Sequence, residues 1–163
     1  MAKGSGNTRG SSSGAPRGLK GGATPIDSQI SELNRANERL FREMENDPEN
    51  RDYYEGQISD NDAMIDELES QRMQDRAIRA IERTGFKDES FGNWELDTPY
   101  GGAQILDETD SAGQVFGYKE YGVSVWDKDY NMIENGQRRE SPRFSSLNEA
   151  KRYAKDMLKD LYK

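Results

Sequence analysis

The sequence predicts an α+β protein in three parts: a disordered basic tail over residues 1–25, an antiparallel coiled-coil-like helical hairpin over 26–84, and a small α+β domain over 85–163. In that last part a C-terminal helix is expected to cover an antiparallel sheet of three to five strands. Three observations lead there. The first 25 residues are rich in Gly and Ser, with Leu19 as their one core-forming side chain. Two consecutive segments repeat apolar residues at alternating steps of four and three. Beyond Gly85 short runs of branched and aromatic residues alternate with Gly, Pro and Asp, and an amphipathic stripe closes the chain.

The tail carries Lys3, Arg9, Arg17 and Lys20 and no acid, whereas the remaining residues hold 19 basic and 31 acidic side chains. A loose phosphate-holding arm and a solvated leader are both consistent with that composition. Helix signals begin at Thr24, Pro25 and Asp27, respectively a capping hydroxyl, a first-turn proline and a first-turn acid. Ile26, Ile30, Leu33, Asn37, Leu40 and Met44 form the first seam, and the helix should stop near Glu45. Asn46, Asp47 and Pro48 predict the turn, with Asp47 as the next cap. The second seam is Tyr54, Ile58, Asn61, Ile65 and Leu68, on a helix that runs from Pro48 to Arg83.

Antiparallel helices place residues opposite one another when their position numbers have a constant sum. Met44 with Tyr54, Leu40 with Ile58, Asn37 with Asn61, Leu33 with Ile65 and Ile30 with Leu68 share one sum. The polar seam position of each helix therefore meets its counterpart, where two amides satisfy each other. A slipped register sets each against hydrocarbon, so Asn37 and Asn61 are expected to fix the register. Past Leu68 the residues Met73, Ala77, Ile78 and Ile81 stay apolar and need another surface, for which the C-terminal domain is nearest.

In that domain Trp94–Asp97, Ala103–Glu108, Gln114–Tyr118 and Val123–Asp127 read as strands, followed by Met132 and Ile133. Val123 and Val125 share one face while Ser124 and Trp126 take the other. Ser146 and Glu149 make a capping-box pattern. Leu147, Ala150, Ala154, Met157 and Leu161 supply the apolar stripe that covers the sheet, with Tyr153 and Leu158 beside it.

Composition removes much chemistry. The chain has no Cys and no His, which excludes disulfides, thiolate nucleophiles and the commonest general base and metal ligand. Charged residues make up 33% and mean hydropathy is -1.10, with no apolar run long enough to span a bilayer. The opening segment lacks the apolar core of a secretory signal, so a cytoplasmic location is expected. Asp127, Asp129 and Asn131 match the first ligand positions of a calcium loop, but Met132 stands where that loop needs glycine and Arg138 where it needs a bidentate glutamate. A turn is the expected role. Asp60 and Asp62 read as two acids on a helical surface. No phosphate loop, dinucleotide fingerprint or nucleophile elbow occurs, and neither enzymatic activity nor a cofactor is expected.

Two functions from different classes follow. The first is a non-catalytic protein-interaction protein, an adaptor, assembly component or inhibitor that meets a macromolecular partner through the acidic hairpin and the α+β head. By analogy of size and charge the chain resembles small phage-encoded inhibitors of host defence nucleases, the anti-CRISPR type, which is the more specific expectation within this first class. The second is a nucleic-acid-binding accessory that uses the tail and a basic face formed by Arg138, Arg139, Arg143, Lys151, Arg152 and Lys155. The acid excess weakens any such binding. Phe41, Tyr53 and Met64 lie off the seam, where they are placed to cover a second hairpin in a homodimer or to meet the head.

Overall fold

The computed structural model describes residues 24–163, so the expectation of a disordered tail falls outside the described residues except at Thr24 and Pro25. The described chain forms two compact units, one ending at Asp62 and the other spanning Ala63–Lys163. The first is helical. Helix α1 (Pro25–Asn46) opens on a capping box in which the Thr24 hydroxyl accepts from the Asp27 amide at 3.2 Å. The Asp27 carboxylate in turn accepts from the Thr24 amide at 3.2 Å. A single 3-10 turn at Pro48–Asn50 leads into α2 (Arg51–Arg83), and the two helices form a hairpin.

Asp47 does not cap the second helix through a backbone amide. Its carboxylate accepts instead from the Asn50 side chain at 2.8 Å and from the Tyr54 hydroxyl at 3.1 Å, which ties the turn to the first seam residue of α2. The 3-10 turn tightens the chain before α geometry begins, leaving the Asp47 side chain to its neighbours' side chains. In the hairpin Ile30, Asn37 and Ile58 are buried, and Leu33, Leu40, Met44 and Tyr54 are half-buried between exposed neighbours.

The second unit holds a six-stranded antiparallel sheet. Strands β1 (Lys87–Asp88), β2 (Asn93–Thr98), β3 (Gly101–Asp107), β4 (Tyr121–Asp127) and β5 (Met132–Glu134) lie in sequence order, and β6 (Arg143–Phe144) pairs with β4 beside β5. The pairing of β3 with β4 runs from Gly101 opposite Asp127 to Asp107 opposite Tyr121. This register puts Leu96, Ala103, Ile105, Val123 and Val125 on one face, all buried, with Trp94 and Tyr121 in edge-to-face contact at its margin.

That face is covered by α4 (Leu147–Asp160) and by Ile81 from the last turns of α2. The stripe of α4 is centred on Ala150, Ala154 and Leu158, which are fully buried, whereas Leu161 is exposed just past the helix end. The two alanines let the helix backbone come close to the sheet. On the opposite sheet face the Trp126 ring lies against Gly102, where a Cβ would sit 2.6 Å from the indole.

One expected strand is a helix. Residues Gln114–Tyr118 belong to α3 (Ser111–Phe116) and its cap, in the connection from β3 to β4. Val115 and Phe116 favour strands intrinsically, but Asp110 caps a helix there and Gly117, at φ 82°, ends it in the left-handed conformation.

Two glycines give opposite expectations. A Cβ at Gly136 would lie 2.5 Å from the Val123 nitrogen and 2.6 Å from its carbonyl oxygen, so Gly136→Ala should cost about 2–3 kcal/mol. Gly56 in α2 has open space around it, and Gly56→Ala should stabilise by about 0.5–1 kcal/mol. Urea unfolding of both variants against the parent checks the pair.

Candidate interaction surface

A six-residue helix is too short to persist on local hydrogen bonding alone. The connection that carries α3 is therefore fastened at several points. At its base the Glu108 amide donates to the Glu120 carbonyl at 2.8 Å, and the Glu120 amide to the Thr109 hydroxyl at 3.1 Å. The Asp107 carboxylate accepts from the Thr109 amide at 3.0 Å and from its hydroxyl, which with Lys119 holds that acid below the ordinary carboxylate range against the opposing effect of burial.

Asp110 holds the helix itself. One carboxylate oxygen accepts from the Tyr118 hydroxyl at 2.6 Å and from the Gly113 amide at 2.7 Å. These two bonds, the tyrosine's first, lower the Asp110 pKa, and the same contact raises that of Tyr118. Gly113 is buried where a Cβ would meet Thr109 at 2.5 Å and the Tyr118 ring at 2.8 Å. Only glycine lets the helix sit this close to the segments that flank it.

So fastened, α3 presents apolar side chains to solvent. Val115 and Phe116 are 78% and 81% exposed, and Tyr118 is exposed beside them. The run Ser111–Tyr118 has no charged residue, in a chain where 33% of residues are charged. Interface centres are depleted of charge in this way, and solvated surfaces of highly charged proteins are not. Phe91, fully exposed, stands in the neighbouring β1–β2 turn, where Ser90, Phe91 and Gly92 all have positive φ and the Gly92 carbonyl accepts from the Asp107 amide at 2.8 Å.

Next to α3 lies a groove of about 320 Å³ lined by Tyr118, Lys119, Glu120, Arg143, Phe144 and Ser145. Phe144 is set by its ring contact with Tyr153, the centroids 4.9 Å apart. Arg143 pairs with Glu108 at 2.9 Å and donates to the Gly136 carbonyl, while Lys119 lies 3.4 Å from Asp107. Both cations thus stand over the groove with their charges matched by acids at the base of α3.

The basic residues singled out from the sequence are engaged in different ways. Arg143 belongs to the groove. Lys155 donates to the Glu82 carbonyl at 3.0 Å, and its burial there lowers its pKa. Lys151 sits 5.8 Å from the Phe86 ring centroid, and Lys159 lies 3.6 Å from the Glu82 carboxylate. These lysines of α4 close the C-terminal end of α2, where a cation complements the helix dipole. Arg138, Arg139 and Arg152 are exposed.

At the hairpin seam Asn61 Nδ2 donates to Asn37 Oδ1 at 2.9 Å, and Asn37 Nδ2 donates to Asp62 Oδ1 at 2.9 Å. Asp62 is thus the third member of this polar group, which its surface-like spacing in the sequence hides. The calcium-like triplet folds on itself: Asp127 Oδ1 accepts from the amides of Asp129 at 2.8 Å and Asn131 at 2.9 Å, and the Asn131 side-chain bond, followed by these amides, lowers the Asp127 pKa. Among the described residues no three or more acidic side chains are grouped to hold a metal ion, and no helix is long and apolar enough to cross a membrane.

The chain matches no protein-family model, no curated protein and no solved structure.

The seam amides carry an expected outcome. Asn37→Leu leaves the half-buried Asn61 amide facing hydrocarbon, while the exposed Asp62 carboxylate turns to water, and should cost about 1–3 kcal/mol. The double variant Asn37→Leu with Asn61→Leu should regain most of that loss, because two apolar side chains then face each other. A double-mutant cycle in urea reads the coupling; additive losses would contradict it.

Proposed function

We propose that the chain is a non-catalytic protein-binding protein, an adaptor or assembly component, that docks through the α3 end of its α+β unit. The supporting observation is the pairing of rigidity with exposure: hydrogen bonds and the close-packed Gly113 hold a short helix whose outward residues are Val115 and Phe116. Exposed apolar residues held on a fixed scaffold suit recognition, because little conformational freedom is lost on binding. Aromatic anchors of this kind carry most of the energy of a protein interface.

Charge supports a protein partner over nucleic acid. The residues from 26 to 84 hold 16 acidic and 8 basic side chains, which repel phosphates at distance. The lysines best placed to offset them, Lys151 and Lys155, are engaged by the end of α2.

The test is capture of partners by tagged full-length protein from extracts of the cells that make it, comparing the parent, Val115→Ser with Phe116→Ser, and Phe41→Ser with Tyr53→Ser. These surface substitutions should leave thermal stability nearly unchanged. The α3 variant is expected to recover its partner at least about tenfold less well, and the hairpin variant to recover it as the parent does. Undiminished recovery by the α3 variant would overturn the reading.

A further inference from the structure

We propose that Asn135 and Gly136 form a latent deamidation site, held shut by the fold, which reacts when the β5–β6 connection opens and so marks the chain covalently. Asn followed by Gly occurs once in the sequence. Asparagine is a thermolabile residue, and most so before glycine, which leaves the next amide nitrogen free of a side chain. In the reaction the Gly136 nitrogen bonds to Asn135 Cγ, the bond from Cγ to Nδ2 breaks, and Nδ2 leaves as ammonia with the proton of the Gly136 amide. Water then opens the cyclic imide at either carbonyl, giving aspartate or isoaspartate at position 135.

Two separate structural needs bring this labile pair together. Asn135 makes the turn: its Oδ1 accepts from the Gln137 amide at 3.0 Å, and its carbonyl accepts from the Arg138 amide at 3.0 Å and the Ser141 hydroxyl at 2.6 Å. Gly136 makes a close approach to β4. It is buried, a Cβ there would stand 2.5 Å from the Val123 nitrogen, and its φ lies outside the left-handed region. Packing, not backbone conformation, is what demands glycine here.

The same packing restrains both reactants. The Gly136 N–H donates to Ser124 Oγ at 3.0 Å, and Ser124 is 8% exposed. That nitrogen has to give up a buried hydrogen bond before it can lose its proton and turn on Cγ, and the Gly136 carbonyl is held as well, by Arg143. The bond to Gln137 fixes the side-chain carbonyl that would be attacked. Reaction therefore follows the small population in which the connection has opened. Isoaspartate routes the main chain through the former side chain, and the carbonyl that takes Arg138 and Ser141 becomes a free carboxylate beside Glu134. The closed turn cannot re-form on that backbone, so each opening that reacts is recorded one way.

Full-length protein incubated at mildly alkaline pH tests this, with tryptic peptide 129–138 resolved into its asparagine, aspartate and isoaspartate forms. The native parent should deamidate at Asn135 at least about tenfold more slowly than a synthetic peptide of the same sequence. Ser124→Ala should raise the native rate about tenfold, whereas Val125→Ala, which weakens the core without freeing Gly136, should leave it near the parent's. Should Ser124→Ala fail to fold, Arg143→Gln, which frees the Gly136 carbonyl, carries the same expectation. In isoaspartate protein purified after long incubation, the Arg138 amide should exchange freely with solvent. A native parent that reacts as fast as the peptide overturns the proposal, as does a folded Ser124→Ala that stays as slow as the parent, or equal acceleration by Val125→Ala. Parent-like protection of the Arg138 amide in the isoaspartate form overturns the one-way mark.

Discussion

The second unit depends on burying one face of its sheet. Leu96, Ala103, Ile105, Val123 and Val125 lie on that face at essentially no exposure, under Ala150, Ala154 and Leu158 of α4 and Ile81 of α2. A slip of one residue in any strand would carry its apolar set to the opposite face, so this burial fixes the β3–β4 register. The register in turn places Asp107 opposite Tyr121, and those two residues are the ends of the connection that carries α3. The core register therefore fixes where the connection carrying α3 begins and ends.

Two kinds of interaction specify the two units. In the hairpin, apolar seams supply the drive to pair, and the group of Asn37, Asn61 and Asp62 selects among the pairings those seams allow. In the connection the roles are reversed. Little apolar area holds α3, and its fixity comes from directional bonds to Asp107 and Asp110 and from Gly113, which admits close approach. Fastening by polar groups at the base is what leaves Val115 and Phe116 free to face outward.

Much of this was legible in the residues. The hairpin seams show because steps of four and three persist over many turns, and the start of α1 shows because capping chemistry is local. The longer strands show by alternation. Strands β1 and β6, two residues each, carry no period and exist because β2 and β4 offer them an edge. In the stretch 114–118 the strand preference of Val115 and Phe116 masks the helix, although Asp110 followed at seven residues by Gly117 is a cap-to-cap interval for a short helix. The closing of α2 by Lys151 and Lys155, and the third member Asp62 of the seam group, depend on approaches between elements that spacing along one helix does not encode.

Helix α3 is both exposed and fixed, with Asp110 as its fastening. Amide hydrogen exchange reads this at the amides of Gly113, Gln114 and Gly117, which donate to the Asp110 carboxylate, the Asp110 carbonyl and the Gly113 carbonyl. Their exchange in the parent should be slowed well below that of an unstructured peptide, and Asp110→Ala should release all three together while the β3 and β4 amides stay protected. Unprotected exchange at these positions in the parent, or protection that survives Asp110→Ala, would contradict the account.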